Sequence, residues 1–287
     1  MQYLIYGLIS GSILATAAVG FALIRQTEGF LNIAHGQFLL LGGTFGYLAV
    51  TSLGLPIWIA TVVAALTVGL VGVLAAVLVM HPLKGRGPLT LLFTSVGLSY
   101  VIQGLVVGLY GTGVNTFPVS FGDQITLGSV RITWGEIAII AVAAVSIVSL
   151  HLFLTRTPVG TSIRAVSSNP QLAKVRGIRT EETSLTVWFI ASSLAGLAGV
   201  LLGLMGAVHS EMGWSNILLI LAATVLGGLG RIYGVVVAAL LLGILMDMSS
   251  LVIPTSYRLV VAFGALILVL IVRPQGLFTL QRRKQVA

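Results

Sequence analysis

Apolar runs of about twenty residues follow one another along nearly the whole chain, and the polar residues between them come in short clusters. A helix needs about 20 mostly apolar residues to cross a bilayer. On that measure the sequence predicts spans at 3–24, 31–51, 56–80, 89–110, 132–154, 183–208, 217–230, 233–249 and 256–272. Two of them stand apart. The 31–51 run carries "NIAHGQFLLLGG" (32–43), which puts Asn32, His35 and Gln37 where a membrane helix prefers Leu. The 217–230 run is short and passes into "GGLGRIYG" (227–234). Short or glycine-interrupted apolar segments are the sequence form of broken and re-entrant helices. The pattern predicts an all-α polytopic membrane protein of eight to ten transmembrane or re-entrant helices. No polar stretch is long enough for a second domain, so a single transmembrane domain over 1–287 is expected.

Composition agrees. Of the 287 residues, 57% are hydrophobic and 8% charged, and the mean hydropathy is +1.10. Soluble domains carry about 25% charged residues. The first apolar run has no basic segment before it and leads straight into the next, so it reads as a retained helix and not a cleaved leader. The net charge of +8 does not indicate nucleic acid, because its location explains it. With the N-terminus outside and nine crossings, all but two of the 15 Lys and Arg fall inside, the exceptions being Arg131 and Arg258. That asymmetry fixes the expected orientation, with a cytoplasmic C-terminus.

Several chemistries are absent from the sequence. There is no cysteine, hence no disulfide, thiolate metal site or thiol nucleophile. There is no His-Glu-x-x-His motif, no Gly-x-Ser-x-Gly elbow and no phosphate-binding Gly-x4-Gly-Lys-Ser/Thr loop. The chain is not expected to be an enzyme, nor to hold a metal or another cofactor.

Two polar segments are long. Residues 111–131 are rich in Gly, Thr and Ser and fall outside. Residues 155–182 are basic and fall inside. In the second, Asn169 suits an N-cap, Pro170 the first helical position and Gly177 a C-terminal stop, which predicts a short helix over 170–176. Pro158 starts another, with Ile163 and Val166 on one side and Arg164 on the other. Two short helices with a bend between them form a protruding cytoplasmic elbow. Glycines recur at four-residue spacing: Gly7 and Gly11, Gly42 and Gly46, Gly199 and Gly203. Such pairs let helix backbones approach closely in lipid. A faint echo between 40–50 and 225–237 suggests two related halves.

Polar side chains at membrane depth face a protein interior or a water-filled cavity. Asn32, His35, Gly36 and Gln37 are therefore candidates for a substrate path, with His35 and Gly36 interrupting their helix and Gly42, Gly43 and Gly46 thinning it. Ser95, Ser99 and Gln103 share one helix face and form a second candidate stripe. The alternative for each is structural: hydrogen bonds to neighbouring helices or to the residue's own helix. Glu136 and Asp247 are placed at solvated outer ends. His209 and Glu211 sit in an outer loop. His81 and His151 read as interfacial residues without a special role.

"GTSIRAVSSNPQLAKVRGI" (160–178) resembles the coupling-loop motif of ABC importer permeases, in the branch that serves branched-chain amino acid uptake, the LivH family. "GLISGSILATAAVGFALI" (7–24) resembles that family's first helix. "NIAHGQFLLLGG" matches its Asn-x-Ala-His-Gly signature, and "RPQGLF" (273–278) matches a motif near its C-terminus. "LGGLG" (226–230) fits as well. The chain departs from the family at Gln37, where an acid is usual, and at Arg25-Gln26, where Tyr-Gly is common.

The resemblance implies the ABC importer permease fold in a prokaryotic cytoplasmic membrane. It implies as partners a second, homologous permease, two cytoplasmic ATPase subunits and an extracytoplasmic substrate-binding protein, in contact with membrane lipid. The implied cargo is leucine, isoleucine or valine. Urea, short amides or other amino acids are the alternative within the family; a stand-alone secondary transporter or channel is the alternative outside it. Residues Gly160, Arg164, Ala165, Asn169, Ala173, Lys174 and Gly177 are implied to couple to the ATPase.

Overall fold

The computed structural model describes residues 1–119, 122–127, 130–228, 230–273 and 276–277. The helices are α1 (Gln2–Glu28), α2 (His35–Thr51), α3 (Ile57–Ala75), α4 (Pro88–Tyr110), α5 (Trp134–Arg156), α6 (Pro158–Ser168), α7 (Pro170–Val175), α8 (Thr180–Met205), α9 (Met212–Gly227), α10 (Ile232–Ser249) and α11 (Arg258–Val272). Nine of them coincide with the nine expected spans, and α6 and α7 are the elbow. Among the described residues seven segments can cross a membrane by length and composition, while α2 and α9, at 17 and 16 residues, are shorter. At about 1.5 Å per residue each of these two falls just short of a ~30 Å hydrocarbon core.

Helix α1 is the centre. Of its most apolar stretch 89% is covered by other helices, whereas the Thr255–Val272 span is 6% covered. The first is apolar all round because protein surrounds it; the second is apolar because lipid or a partner chain does. Around α1 pack α10, α8, α5 and α9, and α8 in turn carries α2 and α3.

The glycine pairs set these contacts. A Cβ on Gly7 would lie 2.5 Å from Ile244 Cα, and one on Gly11 2.9 Å from Leu240 Cα, so α1 and α10 touch backbone to backbone. Gly42 faces Gly196, and Gly199 faces the carbonyl of Leu39, where a Cβ would come within 1.9 Å. Without a hydrophobic driving force between helices in lipid, such close approach supplies the dispersion energy that holds the bundle.

Three expectations need correction. His35 and Gly36 do not interrupt α2. They begin it, and the helix then runs unbroken through Gly42, Gly43 and Gly46. Those glycines pack against α8 and Val208 and do not loosen the helix. The 40–50 and 225–237 stretches are not equivalent places: Gly42 and Gly43 lie inside α2, whereas Gly227 ends α9 and Gly228 turns the chain at φ 93°.

The 56–80 run ends in a π-helical turn at Ala76–Met80, and a 3-10 segment at His81–Arg86 carries the helix beyond it. The outer segment is not all loop. It forms an antiparallel hairpin of β1 (Gln124–Leu127) and β2 (Val130–Thr133), with Ile125 opposite Ile132. Gln2 pins the hairpin to α1, donating to the Arg131 carbonyl at 2.7 Å and accepting from its amide at 2.8 Å. Asn115 exchanges two backbone bonds with Val208.

Candidate functional site

The chain between α1 and α2 turns back into the bundle before it becomes helical. His35, the first residue of α2, reaches the middle of α1: its Nε2 lies 3.0 Å from the Ala17 carbonyl. A carbonyl can only accept, so Nε2 carries the proton and Nδ1 is a bare acceptor. Nδ1 is buried and has no partner. The ring stands edge-on to Phe21 at 5.7 Å.

Asn32 and Gln37, each 1% exposed, are in the same position: none of their four side-chain polar atoms has a partner. Native proteins leave few buried polar groups unpaired, because each such group costs roughly 1–3 kcal/mol. Here five unpaired atoms fall within six residues.

The first turn of α9 packs onto this cluster. A Cβ on Gly36 would lie 2.4 Å from the Gly213 carbonyl, and one on Gly213 2.5 Å from Gln37 Oε1. The N-terminal ends of α2 and α9 thus meet around the unpaired amides. Positive helix ends and unpaired amides are groups that receive a carboxylate. No metal-binding group of three or more His, Cys, Asp or Glu exists among the described residues.

Ser95 and Ser99 are fully buried and face inward. Ser95 Oγ accepts from the Ile33 amide at 3.0 Å and donates to Leu92 at 2.7 Å, and Ser99 donates to Ser95. Together they fasten the entry of α2 to α4. Gln103, on the same face, is half-buried. It accepts from Trp214 Nε1 at 2.7 Å and donates to Glu211 and to the Ser210 carbonyl. The stripe therefore braces α4 against the starts of α2 and α9. None of the cavities described here is lined by Asn32, His35, Gln37, Ser95, Ser99 or Gln103.

One cavity is lined in part by Ala17, whose carbonyl His35 holds. It has a volume of about 220 Å³ and is lined by Ile13, Leu14, Ala17, Leu39, Ile220 and Met246 among others, with Ser10, Asn216 and Arg258 as its polar members. Arg258 pairs with Asp247. Asp247 is therefore not the solvated carboxylate that its position suggested, and its second oxygen is buried without a partner.

The elbow forms as its cap residues predict. Asn169 Oδ1 accepts from the Leu172 amide at 3.0 Å, and Gly177 takes φ +82° to end the turn. Thr157 caps α6 by accepting from Gly160 at 3.0 Å. Gly160 is buried against α5, where a Cβ would lie 2.3 Å from the Phe153 carbonyl. Ala173 is buried and Ala165 half-buried, whereas Arg164, Asn169, Lys174 and Gly177 are exposed. Ile163 and Val166 are buried as expected.

Sequence reasoning passed over three features. Leu172 and Val175 stand exposed on α7, at 54% and 84%, and their signal was two apolar residues spaced i, i+3 on a short helix in a polar loop. Glu28 is the second. Its side chain is 3% exposed, pairs with Lys84 at 2.8 Å and accepts from Ser184 Oγ. With that hydroxyl proton committed, His81 Nε2, 3.0 Å away, donates to Ser184. His81 is thus part of a network and not an idle interfacial residue. No sequence signal joins residues 28, 81, 84 and 184. The third is His151, which hydrogen-bonds to the Tyr233 hydroxyl.

Known proteins resemble this chain over nearly its whole length. Residues 3–270 match the family described as branched-chain amino acid transport system / permease component. The chain is 29% identical to the high-affinity branched-chain amino acid transport system permease protein BraD of Pseudomonas aeruginosa, over 96% of its own length and 95% of the relative's. It is also 29% identical to the permease protein LivH of Escherichia coli K12, with 96% and 94% covered. A more distant relative is the autoinducer 2 import system permease protein LsrD of Salmonella paratyphi B, at 26% identity with 84% and 75% covered. Among solved structures, PsaBC from Streptococcus pneumoniae in complex with Fab shares the fold with a TM-score of 0.52 at 15% identity, covering 96% of this chain and 93% of that one.

Proposed function

The chain belongs to the family of branched-chain amino acid transport permease components, and from that premise we propose that it forms the membrane path of an ATP-driven importer for leucine, isoleucine and valine. The observation that carries this reading is the elbow. A solvated connector has no use for two capped helices that hold Leu172 and Val175 out of the bundle. Exposed apolar side chains on a short rigid knob fit a groove on a partner. The partner is a cytoplasmic ATPase. A second permease copy or homologue and an extracytoplasmic binding protein complete the assembly. The N-terminus lies outside and the C-terminus inside the cytoplasmic membrane of a prokaryote.

The packing supports a route for the coupling. Helix α6 rests on α5, α8 and α1; α1 holds His35 through the Ala17 carbonyl and packs on α9, whose Gly213 seats Gly36. Movement of the elbow by the ATPase pair tilts these helices and parts the starts of α2 and α9. Asn32, Gln37 and His35 Nδ1 then gain the partners they lack, from the ammonium and carboxylate of the amino acid or from water that accompanies it. A largely apolar cavity lined by Ala17 and its neighbours suits a branched aliphatic side chain. Glycines 36 and 213 close the path again by backbone contact. Each single polar group binds weakly, which suits a path that must also release its cargo.

The test is ATP-driven leucine uptake by the complete importer in proteoliposomes. Leu172→Asp with Val175→Asp is expected to abolish uptake and ATPase co-purification, and Arg164→Glu and Gly177→Val to impair both, while the permease stays in the membrane. Unimpaired uptake and co-purification in all of these would refute the coupling role. Uptake of urea or short amides in place of leucine would refute the cargo.

A further inference from the structure

A cleft of about 820 Å³ opens on the face that carries the elbow, between the ends of α1 and α5 and the start of α10. Three arginines line it: Arg164 from α6, Arg231 from the turn before α10, and Arg273 from the end of α11. Among the described residues none of the three makes an ion pair. Their polar contacts are weak and neutral: Arg164 to Thr161 and Arg273 to the Leu277 carbonyl, each at 3.3 Å. None of the chain's seven acids lines the cleft. Three exposed guanidiniums held together without a counter-charge repel one another, and an anion relieves that cost.

The rest of the cleft says which anion. Beside the arginines it is lined by Gln26, Thr155 and Tyr233 and by the apolar Leu154, Ile232 and Val237, which come from the end of α5 and the start of α10. Those two helices are both packed on α1 and are bridged by the His151–Tyr233 hydrogen bond. Val237, Tyr233 and Leu152 are exposed there, on segments apolar enough to lie in a membrane. A soluble anion needs only the charges. The joining of a tri-arginine mouth to a lipid-facing apolar groove, with a tyrosine at the rim, matches a phosphate headgroup that carries acyl chains.

We propose that this cleft is a binding site for an anionic phospholipid, its phosphate held by Arg164, Arg231 and Arg273 and an acyl chain lying along the groove between α5 and α10. The assignment to the cytoplasmic leaflet rests on the orientation proposed above; the site itself does not. Bound there, the lipid ties the elbow, through Arg164, to the turn between α9 and α10.

Lipid retention by the purified, delipidated protein tests this, read by native mass spectrometry and by thermal unfolding with added phosphatidylglycerol, cardiolipin, phosphatidylcholine or inorganic phosphate. Wild-type protein is expected to retain and be stabilised by the two anionic lipids and not by phosphatidylcholine. Arg231→Ala with Arg273→Ala is expected to weaken retention by about thirtyfold, from the usual contribution of two basic residues at headgroup level. Val237→Trp fills the groove on a lipid-facing surface without touching a charge, and is expected to lose the lipid as well; this variant decides the matter if the double alanine variant does not fold. Retention equal to wild type in either folded variant overturns the proposal. So does equal retention of phosphatidylcholine, or full occupation by inorganic phosphate at millimolar concentration. Loss of ATPase co-purification in the double variant, with lipid retention unchanged, would make the cleft a protein interface and also overturn it. Lipid retention is read on the purified permease without leucine or ATP, so the failure of this site and that of the transport reading are distinguishable.

Discussion

At the scale of the residue, what matters most is which polar atoms are paired. His35 holds the Ala17 carbonyl, while Asn32 has no side-chain partner to lose. The two residues therefore separate stability from transport. His35→Leu removes the side-chain bond that ties α2 to the Ala17 carbonyl of α1, at a cost of about 0.5–1.5 kcal/mol, and is expected to lower the melting temperature in detergent. Asn32→Leu replaces an unpaired amide by apolar volume; its melting temperature is expected to hold or rise while uptake falls. Melting and uptake measured on the same preparations check both, and an Asn32→Leu protein with full uptake would remove the amide from the path. Glycines divide in the same way. Gly42→Ala drives a methyl to 2.1 Å from the Gly196 carbonyl, whereas Gly97→Ala meets nothing within 4 Å. Overpacking costs about 1–3 kcal/mol, so Gly42→Ala is expected to lower the melting temperature and Gly97→Ala, which gains helix propensity, is not.

At the scale of the element, the polar clusters gather at helix ends more than on helix faces. The starts of α2 and α9 meet at Gly36 and Gly213, and the end of α1 closes on the 3-10 segment after α3 through Glu28, Lys84, Ser184 and His81. That network joins three elements on the elbow side of the bundle. Lys84 is 46% exposed and Glu28 3% exposed. Loss of the carboxylate is expected to cost about 1–3 kcal/mol, between the value for an exposed ion pair and that for a buried one. Glu28→Gln keeps the shape and one hydrogen-bond acceptor but removes the charge. Its unfolding midpoint should fall below wild type; an unchanged midpoint would show that the charge does not hold these elements together. The elbow differs from the rest. Its cap residues act within a few positions of one another, so its two helices were legible in "TPVG" and "SNPQ".

At the scale of the whole molecule, this is a multi-pass membrane protein with a buried central helix and an apolar rim. The absence of cysteine from the chain makes its orientation simple to measure. A single cysteine at Gly113 is expected to react with an impermeant maleimide added to intact cells, and one at Lys174 only after the membrane is opened. Both are exposed. A reporter placed after Lys284, which lies outside the described residues, is expected to be cytoplasmic. Labelling of both cysteines from the same side would remove the orientation and, with it, the elbow's access to ATP-driven partners.

The sequence by itself determined the number and place of the apolar helices, because lipid imposes one length and one composition on every span. It determined the elbow, because caps and stops are local. It also marked Asn32, His35 and Gln37, because polar residues in an apolar run are conspicuous whatever surrounds them. Only the tertiary structure decided what those residues face. Whether Ser95 lines a path or pins Ile33 depends on a contact 62 positions away. Whether Gly36 breaks a helix or seats one helix on another depends on Gly213. The Glu28 network, the Arg258–Asp247 pair and the arginine cleft are of the same kind. Their members are scattered along the chain, and a charge reads as solvated until the fold shows what is packed beside it. Periodicity and composition act along the chain, whereas pairing acts across it.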